Sequence, residues 1–186
     1  MAQGARVRTT TVRVRDHFVN ARYGKTAREK FRASASPELR AALASSGDAW
    51  VDFRLFVEAS ELVCNLFGNG NLALAREIGR FGAETNMGTW RAIVHRILSP
   101  RVLLGIAAGL WSHHYDGGRL VVEATSESGL RVRITDFPTP HRTHCLAIEG
   151  WVERTIQLGK PRAVRVRKTG CRLDGGPACE LLAEWE

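Results

Sequence analysis

The chain has 186 residues, a net charge of +8, 44% hydrophobic residues and 25% charged residues. This composition is typical of a globular protein and excludes an intrinsically disordered chain. No apolar run reaches the ~18 residues that cross a bilayer, and the first residues lack the apolar segment of a secretory signal. We therefore expect one domain over residues 1–186, in the cytoplasm, where the four cysteines stay reduced or bind a metal.

Positive charge is concentrated near the N-terminus, because residues 1–42 contain ten Lys or Arg and only three Asp or Glu. Basic clusters can dock phosphate backbones or acidic proteins. No DNA-binding motif accompanies the charge, so the pattern favours a solvated, arginine-rich surface over nucleic-acid binding.

The first two-thirds of the chain is predicted to be mainly helical. Residues 6–14 (RVRTTTVRV) are rich in β-branched residues and predict a short strand, and residues 16–32 predict a basic helix. Three later helix starts are predicted where a hydroxyl residue precedes proline, since the hydroxyl caps a free N–H and proline has none. These pairs are Ser36-Pro37, Ser99-Pro100 and Thr139-Pro140. Apolar spacing predicts further helices at 53–67, 72–86, 89–98 and 100–114.

After Gly118 the hydrophobic period changes from helical to alternating. The pattern predicts strands near 118–125, 129–136, 162–170 and 178–185, with a helix at 140–158 between the two hairpins. The predicted fold class is α+β, in which a helical N-terminal part covers one face of an antiparallel sheet of about four strands.

No motif in the chain predicts catalysis. The glycines of GNGN (residues 68–71) lack the Lys and Ser/Thr of a phosphate-binding loop, and no histidine pair has HExxH spacing. His95, His113 and His114 are candidate haem ligands, but a lone histidine near apolar residues is more often a satisfied side chain. We therefore predict a protein that is not an enzyme and that has no catalytic residues.

Large apolar side chains cluster on the middle helices and favour either a packed core or a ligand pocket. Several glycines inside these helices indicate close backbone approach or space for a ligand. If a pocket exists, we expect it to be lined by Phe81, Trp90, Ile93, Ile97 and Trp111.

The C-terminal segments HCLAIEGWVERTIQLGKPRAVRV and CRLDGGPACELLAEW carry a resemblance to a known group. They resemble the vinyl-reductase-type small-molecule-binding superfamily, and most closely a myxobacterial paralogous family of unknown function. That superfamily is distantly allied to the haem–nitric-oxide-binding fold. The resemblance implies a homodimer that holds an apolar or aromatic ligand, or an acyl chain, and signals to a separate protein partner.

The resemblance also implies a structural zinc site, whose cysteine positions correspond to Cys145, Cys171 and Cys179. The family's acidic ligand corresponds to Lys168, and an ammonium group cannot bind zinc. His141, His144 or Glu180 would have to replace it. We predict that the three sulfurs cluster but hold no zinc, and that the protein has no other cofactor.

Two functions remain open on the sequence. The first is a non-enzymatic ligand-sensing or protein-interaction module with a helix-lined apolar pocket. The alternative is a basic scaffold that docks an acidic partner or nucleic acid and has no small-molecule ligand.

Overall fold

The computed structural model describes residues 4–85, 99–159, 161 and 163–186. The first strand, β1 (Arg6–Arg8), leads directly into helix α1 (Thr9–Ser34), and α2 (Pro37–Ala44) follows. Strand β2 (Trp50–Asp52) pairs antiparallel with β1. Helices α3 (Phe53–Gly68) and α4 (Ala73–Thr85) complete the N-terminal part. The predicted helix at 89–98 lies outside the described residues.

Two expectations for the N-terminal part need correction. The strand predicted over residues 6–14 ends at Arg8, and TTTVRV is helical. The helix α1 is also interrupted, because the backbone at Gly24 leaves the helical region (φ 84°, ψ 179°). Glycine adopts this positive φ without steric cost, which lets the second half of α1 fold back on the first.

The C-terminal part confirms the predicted order of hairpin, helix and hairpin. It begins with helices α5 (Pro100–Gly109) and α6 (Trp111–His114), which replace the single helix predicted at 100–114. The strands are β3 (Arg119–Ser126), β4 (Gly129–Thr135), β5 (Val164–Gly170) and β6 (Cys179–Trp185), and helix α7 (Arg142–Leu158) joins the hairpins. All neighbours in the sheet are antiparallel, in the order β3-β4-β6-β5.

Two of the three hydroxyl–proline helix starts are confirmed. The Ser36 hydroxyl accepts a hydrogen bond from the Leu39 N–H, and the Ser99 hydroxyl accepts one from Val102. At the third, Thr139 does not cap the helix. Helix α7 starts at Arg142, and the ring of His141 accepts the hydrogen bond from the Thr143 N–H.

The N-terminal helices are joined to the C-terminal part by direct backbone contact between α4 and α7. A Cβ atom at Gly79 would overlap the carbonyl group of Ala147, and one at Gly150 would overlap that of Arg76. Salt bridges from Arg76 and Arg80 to Glu153 flank this contact. The glycines therefore set the spacing between the two helices.

Among the described residues, no helix combines the length and the apolar character needed to cross a bilayer.

The α4–α7 contact makes a prediction about stability. Gly79→Ala should lower the free energy of unfolding by about 1–3 kcal/mol, because the added methyl group forces the two backbones apart. Chemical denaturation monitored by circular dichroism measures this change. Gly105→Ala is the matched control, since a Cβ there meets no described atom within 4 Å. That control should stabilise the protein by up to about 1 kcal/mol through helix propensity. Equal effects of the two substitutions would contradict the role given to Gly79.

Candidate functional site

A guanidinium group is buried in the core without a carboxylate partner. Arg15 of α1 is 4% exposed. Its Nε donates to the Ser60 hydroxyl at 3.0 Å and its Nη1 donates to the Thr11 carbonyl at 2.9 Å. Its Cζ lies 3.6 Å from the centroid of the Phe56 ring. Burial lowers the pKa of Arg15 to about 10, so the group remains a cation at neutral pH.

The adjacent residue has the opposite arrangement. The Asp16 carboxylate is buried and accepts hydrogen bonds from both Arg28 and Arg32, at distances of 2.6–2.9 Å. Burial alone would raise the pKa of Asp16, but the hydrogen bonds from Arg32 and Arg28 outweigh it and lower that pKa. In a straight helix, residues 16 and 28 would lie about 18 Å apart. The change of direction at Gly24 is what brings them together.

Next to Arg15, a histidine of the first turn of α7 is enclosed by aromatic rings. His144 is 2% exposed, and its Nε2 has no hydrogen-bond partner among the described residues. Five ring centroids lie 4.9–6.1 Å from its own. We call these five rings the aromatic box: Phe53, Phe56, Trp111, Tyr115 and Phe137. Burial, with smaller contributions from the charges of Arg15 and His141, lowers the pKa of His144 to about 3.

The aromatic box joins three parts of the fold. Phe53 and Phe56 belong to α3, Trp111 and Tyr115 lie at α6, and Phe137 follows β4. Burial raises the pKa of Tyr115 to about 12, which keeps its hydroxyl neutral. The interior therefore combines a neutral imidazole, a neutral phenol and an arginine cation within aromatic surroundings.

A second cluster lies where α7, β5 and β6 meet. The sulfur atoms of Cys145, Cys171 and Cys179 lie within 4.8 Å of one another, and those of Cys145 and Cys179 are 3.8 Å apart. We call these residues the thiol cluster. Cys145 lies in the first turn of α7, Cys171 follows β5 and Cys179 begins β6.

The pKa values of two thiols in the cluster are shifted in opposite directions. The hydrogen bond from Cys145 lowers the pKa of Cys179 to about 6, and the same hydrogen bond raises the pKa of Cys145. Cys179 is therefore the more acidic thiol of the pair. Arg172 contributes to the same effect through its backbone and its charge.

No fourth metal ligand joins the thiol cluster among the described residues, since the group of potential ligand atoms consists of the three sulfurs alone. The three expected substitutes lie away from the sulfurs. His144 lies in the aromatic box, His141 faces Glu61 at 3.5 Å, and Glu180 accepts a hydrogen bond from Thr169. Lys168 donates to Asp174 at 3.1 Å, and this contact raises the pKa of the lysine.

Of the predicted pocket residues, Phe81 and Trp111 are described, and they lie in different aromatic clusters. Phe81 packs edge-on against Phe18, in an aromatic row that continues through Tyr23 to Phe67. Trp111 stacks on Tyr115 in the aromatic box and donates from its ring N–H to the Gly117 carbonyl. Trp90, Ile93 and Ile97 lie outside the described residues.

An open cavity of about 600 Å³ runs along one face of α3, where residues from Asp52 to Asn65 line it. Phe53, Val57 and Pro140 form apolar parts of its wall, and Asp52, Glu58 and Glu61 give it negative charge. The Glu58 carboxylate accepts hydrogen bonds from the N–H and the hydroxyl of Ser36. Neither Phe81 nor Trp111 lines this cavity.

The histidines considered as haem ligands do not point to one site. His113 is exposed, and the ring of His114 contacts the Thr11 hydroxyl at 3.2 Å, while His95 lies outside the described residues. The enclosed histidine is His144, which the sequence suggested only as a replacement zinc ligand. Its burial follows from the packing of α7, and no local sequence signal marks it.

The comparisons with known proteins concern the whole fold. An H-NOX protein from S. oneidensis in the Fe(II) ligation state superposes with a TM-score of 0.73 at 14% identity, covering 96% of this chain and 95% of that one. The Fe(II) unliganded H-NOX protein from K. algicida gives 0.69 at 9% identity, with 96% of both chains covered. An oxygen-binding H-NOX domain related to soluble guanylate cyclases gives 0.68 at 13% identity, covering 96% and 94%. The chain therefore has the H-NOX fold.

No protein-family model matches the chain, and no curated protein sequence matches it. The assignment to the vinyl-reductase-type superfamily is wrong, because the structural neighbours are H-NOX domains. The C-terminal cysteine pattern suggested that assignment, but it reflects only the local clustering of three cysteines. At identities of 9–14%, the comparisons show the fold alone.

The expectation that the protein has no cofactor is also corrected. The neighbours hold Fe(II) iron, and one H-NOX structure concerns haem distortion. In this chain, the donor chemistry of His144 fits a haem iron, since it is a neutral imidazole with an unpaired nitrogen. The packing around it is closed, because the rings of the aromatic box contact it on several sides. A macrocycle at His144 would require these rings to separate.

The buried imidazole predicts a pH dependence of stability. The unfolded chain binds a proton at His144 below about pH 6.5, while the folded ring stays neutral to about pH 3. The free energy of unfolding should therefore fall as pH decreases through this window, by up to about 1.4 kcal/mol per pH unit from this group, with no contribution above it. Urea denaturation between pH 5 and 7 measures the slope. His144→Phe should flatten it, and His17→Phe, at an exposed position, should leave it unchanged.

The thiol cluster predicts selective alkylation. At pH 7, iodoacetamide should modify Cys179 faster than Cys145 and Cys64, because the pKa of Cys179 is lowered while the pKa values of the other two are raised. Cys145→Ser should slow the modification of Cys179 severalfold. Cys64→Ser, on the buried face of α3, should not change it. Peptide mass spectrometry locates the modification. Elemental analysis of the same sample separates free thiols from a zinc site, since one zinc per chain would protect all three sulfurs.

Proposed function

We propose that this chain is a non-enzymatic sensor module that binds a small molecule or cofactor in its core and signals to a separate protein. The shared H-NOX fold over 96% of the chain supports this proposal. The observation that carries it is the unpaired Nε2 of His144 inside the aromatic box, at the junction of the helical part and the sheet. A buried polar atom without a partner costs stability, and a bound ligand would satisfy it.

Haem is the ligand that the fold suggests, and His144 is the residue that would hold it. A haem iron would supply an open coordination position for a diatomic gas. The protein's part is to orient the imidazole through the first turn of α7 and to exclude water with the surrounding rings. An apolar or aromatic ligand, or an acyl chain, remains the proposed class if no iron is bound.

A haem titration tests this proposal. Adding haem to the purified protein should produce a Soret band that saturates at one haem per chain. His144→Ala should abolish the band, because it removes the nitrogen that we propose would hold the iron. His17→Ala is the control and should bind haem like the wild type. A Soret band that persists in His144→Ala would place the iron elsewhere, and absence of a band in the wild type would reject haem as the ligand.

The homodimer also belongs to the proposal. Helix α5 and the residue that follows it expose a stripe of large apolar side chains, with exposed fractions of 45–51%: Val102, Ile106 and Leu110. An exposed stripe of this kind is a surface on which two copies can pack, and we place the predicted dimer contact there. The cytoplasmic location likewise remains a proposal.

The scaffold alternative is weakened by how the N-terminal charge is used. Arg28 and Arg32 are bound to Asp16, and Arg15 is buried. Arg6 pairs with Asp116, and Arg13 donates to the carbonyls of Ser45 and Gly47. Much of the positive charge of residues 1–42 therefore stabilises the fold and is not available to an acidic partner or nucleic acid.

A further inference from the structure

The burial of Arg15 without an acidic partner points to the charge of the ligand. The described residues provide it with two neutral acceptors, a hydroxyl and a carbonyl, and with the face of Phe56. No carboxylate of the described residues lies within 4.0 Å of it, since every such pair involves other residues. The residues outside the described ranges contain no Asp or Glu at all. The chain itself therefore provides no counter-charge at this position.

Removing a charged group from water costs several kcal/mol unless an opposite charge or strong hydrogen bonds compensate it. The chain meets this requirement one residue later, where the buried Asp16 receives two arginines. The buried charge of Asp16 is therefore compensated by opposite charges, and the buried charge of Arg15 is not. An anion beside Arg15 would provide that compensation.

Two further features converge on the same place. His144 has an unpaired, buried Nε2, and the Phe56 ring is a direct neighbour of both His144 and Arg15. His144 also lies in the first turn of α7, where the helix dipole favours negative charge. The rings of the aromatic box pack around His144, so an apolar body attached to the anionic group would have to move them apart.

We propose that the core of this protein binds an anionic ligand, whose charged group pairs with Arg15 and whose body lies against the aromatic box. The chemical class is a carboxylate or a small inorganic anion, since both supply oxygen or halide acceptors to a guanidinium group. This inference rests on the proposed sensor role and specifies the ligand's charge. It does not require iron.

Thermal unfolding in the presence of defined anions tests the proposal. Chloride, formate, acetate and benzoate are titrated separately at constant ionic strength. At least one should raise the Tm of the wild type saturably, by about 3–6 °C at ten times its Kd for a chain of this size. A response to chloride and formate would identify a small-anion site, and a response confined to benzoate or acetate would identify an organic carboxylate.

The decisive variant is Arg15→Met, which keeps an unbranched apolar stem and removes the charge. It should fold and lose the anion-dependent rise in Tm. Arg40→Met, at an exposed position of α2, is the matched control and should keep the full rise. If Arg15→Met does not fold, His144→Phe replaces it, because it retains a ring and removes Nε2. That variant should reduce the rise by at least about half.

Two results would overturn the inference. The first is a wild-type Tm that none of the four anions raises. The second is a rise that survives unchanged in Arg15→Met or, where that variant does not fold, in His144→Phe. The haem titration has an independent outcome. A Soret band without an anion response would leave the sensor role standing and remove this inference, and an anion response without a band would indicate an iron-free ligand.

Discussion

The fold depends on the direct contact between the backbones of α4 and α7. These helices belong to different halves of the chain, and two glycines, Gly79 and Gly150, let each backbone touch the other. The contact fixes the position of α7 against the N-terminal helices. Because His144 lies in the first turn of α7 and Phe53 and Phe56 lie in α3, the same contact sets the geometry of the aromatic box.

The interior that results is unusual in its distribution of charge. Protein cores rarely contain an arginine without an acidic partner, because the lost hydration is not repaid by neutral hydrogen bonds. Here Arg15 is kept in the core while Arg28 and Arg32 both turn to Asp16. This distribution leaves one positive charge beside an unpaired imidazole nitrogen. A binding protein can retain such a destabilising arrangement when its ligand supplies the missing partner.

The relation to H-NOX domains is one of architecture, with sequence identities of 9–14%. In this chain the junction between the helices and the sheet is filled by aromatic side chains around His144. The polar imidazole of His144 nevertheless lies at the centre of this junction. The thiol cluster lies at the other side of the first turn of α7, since His144 and Cys145 are adjacent in sequence and point to different neighbours.

The sequence predicted the fold class and the strands well, because alternation of apolar residues depends only on local pattern. Strands expected near 118–125 and 178–185 are observed at Arg119–Ser126 and Cys179–Trp185. The proximity of the three cysteine sulfurs also followed from local features. A hairpin brings Cys171 and Cys179 together, and the first turn of α7 supplies Cys145.

The central polar site could not be predicted in the same way. Residues 9–14 (TTTVRV) were predicted to be part of a strand, and Arg15 lay between that strand and the helix predicted at 16–32. As a helix, this segment places Arg15 and Asp16 on the same face as Val12 and Val19, which is buried. Tertiary packing overrode the β-propensity of that segment.

By itself, the sequence determined an α+β domain with a hairpin–helix–hairpin C-terminal part. Only the tertiary structure decided that Arg15, His144 and the aromatic box meet. They come from α1, α7 and three other places in the chain, and no local pattern connects residues so far apart in sequence.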